Sequence, residues 1–305
     1  MANTLSMAKA CSITAYEPFT RVKSDERTWS WETDIYSVSS TTQAEHQFVE
    51  YAGLPLAQMR KEGEPVPYYD ITELAAFRLT LVKYLIGTRF TYELVEDAIH
   101  IPGLMKEGAS MVGESHRQVA DIYANSPFDH AFSNTYPVDP VAETVALCGT
   151  HTLLDSTTQS NLITAAAPDT DTLLAELSTY QHRRKNHVGL LATDKAKLLM
   201  YSPEKMPAWR KILQNSVEPD TADRNDNFVS EYGLKGVVNP HLTTTTNWFL
   251  IGAKFKQDAI FKWRKKAKVD EPWDDKDFRA IKIPSESRFG LIIKDYLGIR
   301  GCVGI

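Results

Sequence analysis

The 305-residue chain has no apolar run approaching eighteen residues, and so no candidate for a transmembrane helix of ordinary length. It has little cysteine: Cys11, Cys148 and Cys302 are odd in number and far apart, which argues against a disulfide framework and fits a reducing compartment. The opening segment MANTLSMAKACS lacks the apolar core of a secretory signal, so the expectation is a soluble protein made inside a cell. Neither charge sign dominates. With 34 basic and 39 acidic residues the net charge is −5, which excludes a protein that coats nucleic acid by bulk positive charge. It does not exclude a container whose wall should repel packed nucleic acid. Internal repeats and low-complexity tracts are missing. So are a GxGxxG after a strand, a phosphate-loop lysine motif, HExxH and CxxC. The segment Gly108 to Gly113 is not a nucleophile elbow, because its second glycine comes one residue late and it lies within a helical pattern. No convergent catalytic cluster is visible, and no cofactor is expected.

What the chain does have is apolar and aromatic content: 43% hydrophobic residues, with 6 Trp, 13 Tyr and 12 Phe, enough for a core and one or two domains. The organising stretch runs from Pro102 to about Asn125. Leu104, Met105, Gly108, Met111, Val112, Ser115, Val119, Ile122 and Tyr123 recur at the spacing of one helical face. Lys106, Glu107, Glu114, Arg117, Gln118 and Asp121 form the opposite, polar face. Pro102 is tolerated in a first turn, and Asn125-Ser126-Pro127 reads as a stop. Such a helix would be about 36 Å long at 1.5 Å per residue. Gly108 and Gly113 each cost it roughly 1 kcal/mol against alanine, so tertiary packing must hold it.

Residues 1 to about 47 show no convincing period. Trp29, Trp31, Ile35 and Tyr36 are apolar for a free tail, so the segment is either an extended arm lying on something or a plain surface loop. Residues 48–76 leave at Gly53, carry a polar tip from Gln58 to Glu64, and return through PYYDITELAAF. This is either a long two-stranded excursion resting on a neighbour or an ordinary surface loop. LAAFRLTLVKYLIGTRF (74–90) reads as strand, with Phe77, Leu79 and Leu81 in period two. TYELVEDA is a short helix before the long one. Further on, helices are expected over 170–184 and 206–216. Strands are expected over 187–192, 234–242, 247–255, 259–272, 278–286 and 288–299. The middle region then reads as a compact α/β unit, and the C-terminal strands join the strand before the long helix in a sheet beneath it.

The candidate chemistry is thin. Cys148 and His151 have C-x-x-H spacing, half a zinc site with no second pair. His182 and His187 flank Arg183-Arg184-Lys185 and read as a solvated helix end. Glu93, Glu96 and Asp97 fit the acidic first turns of a helix. The basic run Lys254, Lys256, Lys262, Arg264, Lys265, Lys266 and Lys268 could contact nucleic acid. The favoured reading is a charged solvent face balanced by Asp270, Glu271, Asp274, Asp275 and Asp277; contact with an acidic neighbouring subunit is a third.

Five stretches in this order resemble the major capsid proteins of tailed bacteriophages, whose fold is shared with encapsulin shells and the floor of herpesvirus capsids. They are GLPLAQMRKEGEPVPYYDI, RLTLVKYLIGTRFTYELVEDA, AWRKILQNSVEPDTADRNDN, TTTTNWFLIG and RFGLIIKDYLGIRG. The resemblance covers nearly the whole chain. It implies an α+β fold with an N-terminal arm (1–47), an extended two-stranded loop (48–76), a peripheral domain (77–149 and 241–305) with its spine helix at about 102–125, and an axial domain (150–240). It further implies hexameric and pentameric capsomers that close into an icosahedral head around double-stranded DNA, bound without sequence specificity, and expansion on maturation. Portal protein, a separate scaffolding protein and decoration proteins are implied partners, with assembly in the host cytoplasm and no membrane. Trp29, Trp31, Arg60, Lys61 and Glu62 are the implied inter-subunit contacts. Some relatives cross-link a loop-tip lysine to an asparagine; Lys61 is suitably placed, but no Asn and Glu partners are identifiable and no cross-link is expected. The alternatives are an encapsulin-like shell storing an enzyme, an enzyme of unrecognised α/β type, and a monomeric nucleic-acid-binding module.

Overall fold

The computed structural model describes residues 29–97, 101–133, 146–182, 184–192, 194–215 and 227–305. Residues 1–28 of the expected arm, with Cys11, and residues 98–100, 134–145, 183, 193 and 216–226 lie outside them. The described residues open with a single helical turn, α1 (Trp31–Asp34), then β1 (Ser37–Ser40) and the pair β2 (Glu45–Tyr51) and β3 (Glu73–Thr80). β4 (Val82–Thr91), the short α2 (Tyr92–Asp97) and the long α3 (Ile101–Asp129) follow. Next come the small hairpin β5 (Thr150–Thr152) and β6 (Thr158–Ser160), then β7 (Leu162–Ile163), α4 (Thr170–His182) and β8 (Ala196–Tyr201). α5 (Met206–Gln214) and β9 (Lys235–Val238) complete the middle of the chain. The C-terminal part is β10 (Trp248–Gly252), α6 (Ala253–Asp258), β11 (Ala259–Val269), β12 (Trp273–Asp275), β13 (Ala280–Ile293) and β14 (Ile299–Cys302).

Two five-stranded sheets form the frame. In the first, β13 is central: β11 and β12 pair with it along one edge, β4 along the other, and β1 adds in parallel to β11. This is the expected sheet, with the strand before the long helix joined to C-terminal strands. The second has the order β7-β14-β10-β8-β9. Its central strand β10 is buried on both faces and alternates cleanly. Phe249 and Ile251 enter the main core, whereas Trp248 and Leu250 enter a second core with Leu173, Leu177 and Tyr180 of α4 and Trp209 and Ile212 of α5.

Several elements differ from expectation. β10 and β14 belong to the second sheet, so the division expected at residue 240 does not follow sheet membership. NWFLIGAKF is not strand throughout, since α6 begins at Ala253. The 278–286 and 288–299 segments are instead one 14-residue strand ending at Ile293. LAAFRLTLVKYLIGTRF is two strands in different sheets, broken at Leu81. The buried alternation of Phe77, Leu79 and Leu81 is as expected. HVGLLA forms no strand: Gly189 has φ +85°, and the segment is a turn closed by an isolated bridge between Lys185 and Leu191.

The helix α3 has 29 residues and continues through Pro127. Proline removes one intrahelical donor, and tertiary contacts offset that loss. Phe128 is fully buried against Phe249 and Phe255, and Asn125 Nδ2 donates to Asp129 Oδ2 and to His241 O, each at 2.7 Å. The buried stripe is also rotated from the expected one. Ala109, Val112, His116, Ala120, Ala124 and Phe128 face inward, while Leu104, Met111 and Ile122 are exposed. Alanine lets the helix approach the sheet closely, which a ranking of large apolar residues misses. Asp121, assigned to the polar face, is buried and accepts a hydrogen bond from Trp31 Nε1 at 2.6 Å. The arm's aromatics are part of the same core: Trp31 stands 4.6 Å from Phe261, and Tyr36 donates to Ala124 O at 2.6 Å.

Two outcomes follow from this packing. Trp31→Phe keeps the ring but removes a donor to a buried carboxylate, and should cost about 1.5–3 kcal/mol in chemical denaturation. His116 lies on the inward face of α3 with Nδ1 2.9 Å from Ser287 Oγ, and burial holds its imidazole below the usual range. A histidine depressed in the folded state stabilises above its unfolded pKa and loses that contribution as protons bind. Stability should therefore decline as pH falls below about 6.5, and His116→Gln should remove this share of the decline in denaturation curves across pH.

Candidate functional site: the extended loop and its buried root

β2 and β3 pair antiparallel from Glu45 opposite Thr80 to Tyr51 opposite Glu73, a strand pair reaching back beyond the expected start at residue 48. One face is covered, where Phe48, Phe77, Leu79 and Leu81 pack with Ile260 and Ile292. Gly290 makes this possible: a Cβ there would lie 2.7 Å from Thr80 O, so only glycine lets the loop's return strand cross β13 so closely.

Past the bond from Ala52 N to Thr72 O (3.0 Å), residues 52–72 contain no strand or helix. The tip is ordered by a turn in which Glu64 N donates to Lys61 O at 3.2 Å, with Gly63 at φ +87°. Arg60 donates to Gln58 Oε1 at 2.6 Å, and Gln58 Nε2 to the Tyr69 hydroxyl at 2.9 Å. Arg60, Lys61 and Glu62 are all exposed there. So are the large apolar side chains of the excursion: Met59 is 99% and Tyr68 90% exposed, with Leu54, Leu56, Val66 and Ile71 also open to solvent. Trp29 and Trp31 are the opposite case. The expectation that neighbouring subunits cover them is corrected: Trp31 is 0% and Trp29 2% exposed within their own chain, so neither presents a face to a neighbour.

At the root of the loop lies a group that sequence reading missed. Glu50 of β2, His187 of the 185–191 turn and Asp295 just after β13 converge, with His187 Nε2 3.3 Å from Asp295 Oδ1 and 3.7 Å from Glu50 Oε1. Lys254 Nζ lies 2.8 Å from Asp295 Oδ2, and Leu297 N donates to Oδ1 at 3.0 Å. Burial opposes the charge on His187, but the two carboxylates overcome it and raise its pKa to about 9. Burial also pushes Glu50 and Asp258 upward, each reinforced by the Asp295 charge. Asp295 goes the other way, because His187 and Lys254 outweigh its desolvation. His187 is thus no solvated helix end, although His182 is exposed as expected. The one available signal was Asp295 within Asp-Tyr-Leu-Gly, one of the quoted motifs; Glu50 and His187 carried none.

The remaining candidates separate. Burial raises the Cys148 thiol, and His151 stacks on Tyr296 with centroids 3.5 Å apart, so both serve packing. Glu93 is exposed in α2, and the side chains of Glu96 and Asp97 lie outside the described residues. The basic run is partly compensated as expected, with Lys265 3.4 Å from Asp270 and 3.0 Å from Glu286. Lys254 belongs to the loop root, and Lys256 donates to Thr33 O.

No protein-family model matches the chain, and no curated protein matches it by sequence. Solved structures do. A Microbacterium phage Oxtober96 structure is similar over 92% of this chain and 93% of that one, with 9% identity and a TM-score of 0.55. The asymmetric unit of the bacteriophage PhiM1 mature capsid covers 88% of this chain and 85% of its own at 12% identity, TM-score 0.55. The capsid of an empty GTA particle covers 91% and 90% at 11% identity, TM-score 0.54. The chain has the phage major capsid fold. In this chain the β2–β3 excursion crosses β13 at Gly290, beside the sheet on which α3 packs.

Gly290→Ala should displace the loop's return strand. The expected result is a loss of about 1–3 kcal/mol in denaturant unfolding, as for other overpacked sites, together with faster limited proteolysis within residues 52–72.

Proposed function

We infer that this chain is the major capsid protein of a tailed bacteriophage, assembling with copies of itself as hexamers and pentamers into an icosahedral head. The observation that carries the reading is the loop. A well-packed frame with the capsid fold extends about twenty residues whose apolar side chains are bare, Met59 and Tyr68 almost completely so. A patch of that kind marks an interaction surface, and an isolated two-stranded excursion is marginal in water. A second copy of the chain supplies the cover. Arg60, Lys61 and Glu62 lie at the tip and form its polar contacts.

The role is structural rather than catalytic. The net charge of −5 suits a wall facing packed double-stranded DNA, which it should neither grip nor read. The compensated basic strand β11 is consistent with that. Portal protein, a separate scaffolding protein and decoration proteins belong to this reading as partners, the virion as its location and the host cytoplasm as the place of assembly. The phage and GTA neighbours favour it over an encapsulin-like compartment. The arm, extended loop, peripheral and axial division is assigned on the same basis, with β10 and β14 counted with the axial sheet.

The purified protein should yield closed shells, or rings of five and six, in light scattering and electron microscopy of one fraction. A persistent monomer across salt and concentration, even with co-expressed scaffold candidates, would overturn the reading. The double variant Met59→Asp, Tyr68→Asp should stay within about 0.5 kcal/mol of the parent subunit in stability, since both side chains are already in water. It should nevertheless lose most particle formation by sedimentation.

A further inference from the structure

We propose that Glu50, His187 and Asp295 form a zinc site at the root of the extended loop. Their potential ligand atoms lie within 4.8 Å of one another. The imidazole Nε2 is 3.3 Å from Asp295 Oδ1 and 3.7 Å from Glu50 Oε1. Ligand atoms around a tetrahedral Zn²⁺ with bonds of about 2.0–2.2 Å stand roughly 3.3–3.6 Å apart, so the His187–Asp295 separation matches an edge of that tetrahedron and the His187–Glu50 separation lies just beyond one. They are long for hydrogen bonds to a ring nitrogen. Nε2 meets both carboxylates at ion-pair distance rather than hydrogen-bond geometry, and His187 is only 8% exposed. A buried imidazole nitrogen aimed between two carboxylates brings three donors together, and Zn²⁺ can take the place of the ring proton there as the pH rises.

The surroundings supply the outer contacts that a metal ligand needs. Lys254 occupies Asp295 Oδ2, which leaves Oδ1 directed at His187, and the Leu297 N–H fixes the carboxylate's orientation. Asp258, whose buried Oδ2 also lacks a hydrogen-bond partner, adds negative charge felt by both acidic ligands. One imidazole with two carboxylates matches zinc; Mg²⁺ and Ca²⁺ favour all-oxygen sets, and copper(I) favours sulfur. Three protein ligands leave a fourth position for water. The bound ion would join the end of β2, the 185–191 turn and the segment after β13, three pieces far apart in sequence, and so fix the angle at which the loop leaves the frame.

The test uses the full chain as an unassembled subunit, stripped with a chelator and titrated with Zn²⁺ at mildly alkaline pH. It is independent of whether the chain builds shells. Calorimetry should find one zinc per chain, and Tm should rise by roughly 5 °C near 100-fold excess over Kd. Glu50→Gln and His187→Gln should each weaken binding by at least tenfold while far-ultraviolet circular dichroism stays unchanged. X-ray absorption of the zinc-loaded parent chain, which needs no variant to fold, should show a nitrogen and oxygen shell. Absence of stoichiometric binding, undiminished binding in both variants, or sulfur in the first shell would each overturn the proposal.

Discussion

The fold depends on one buried aromatic cluster between α3 and the strands beneath it. Trp31, Tyr36, Tyr123, Phe128, Phe261 and Phe289 meet there, drawn from the arm, the helix, β11 and β13. Each contributes a large apolar area together with the offset or edge-on geometry that aromatic pairs prefer. The polar handles are matched: Trp31 donates to Asp121, and Tyr36 to a backbone carbonyl of the helix. Because the cluster draws on segments more than two hundred residues apart, neither the arm, the helix nor the strands beneath it can form this core alone. The helix needs it most, since half of its own inward face is alanine.

That concentration leaves the loop poor. The frame buries its large apolar residues, including a β10 that is covered on both faces, whereas the excursion keeps Leu56, Met59 and Tyr68 in water. A single domain seeking only its own stability has no reason to divide apolar surface this way. The division makes sense when the core is completed inside one chain and the loop's cover comes from outside it. The arm shows where the boundary falls: its tryptophans look like contact residues in sequence, but the chain uses them for itself.

The legible parts were those in which local pattern and tertiary demand agree. Phe77, Leu79 and Leu81 alternate because one face is buried, α4 shows its Leu173, Leu177 and Tyr180 stripe, and five loosely patterned segments in order pointed to the whole fold. The misread parts were those in which tertiary contacts override local rules. Pro127 does not stop α3, because Phe128 and Asn125 hold the next turn in place. The helix face was misplaced because close approach to a sheet favours alanine over leucine or methionine. β10 and β14 are apolar on both sides, so nothing local says which sheet they join. Glu50, His187 and Asp295 meet only in three dimensions, and each has an innocent local explanation.

The root of the loop also explains why charge rather than grease was placed at the hinge. An apolar contact there would be nondirectional, and it would tolerate many departure angles for a long, thinly packed excursion. A buried group of ionisable side chains is costly to desolvate and often no more stable than a hydrophobic substitute, but it is satisfied by few geometries. Glu50 is the last covered acidic position of β2, and it faces an imidazole and a carboxylate held by the second sheet's connections. A shift of β2 by one residue would move Glu50 to the opposite face and leave His187 and Asp295 facing apolar atoms. The charges thereby enforce the register of the loop as well as its direction.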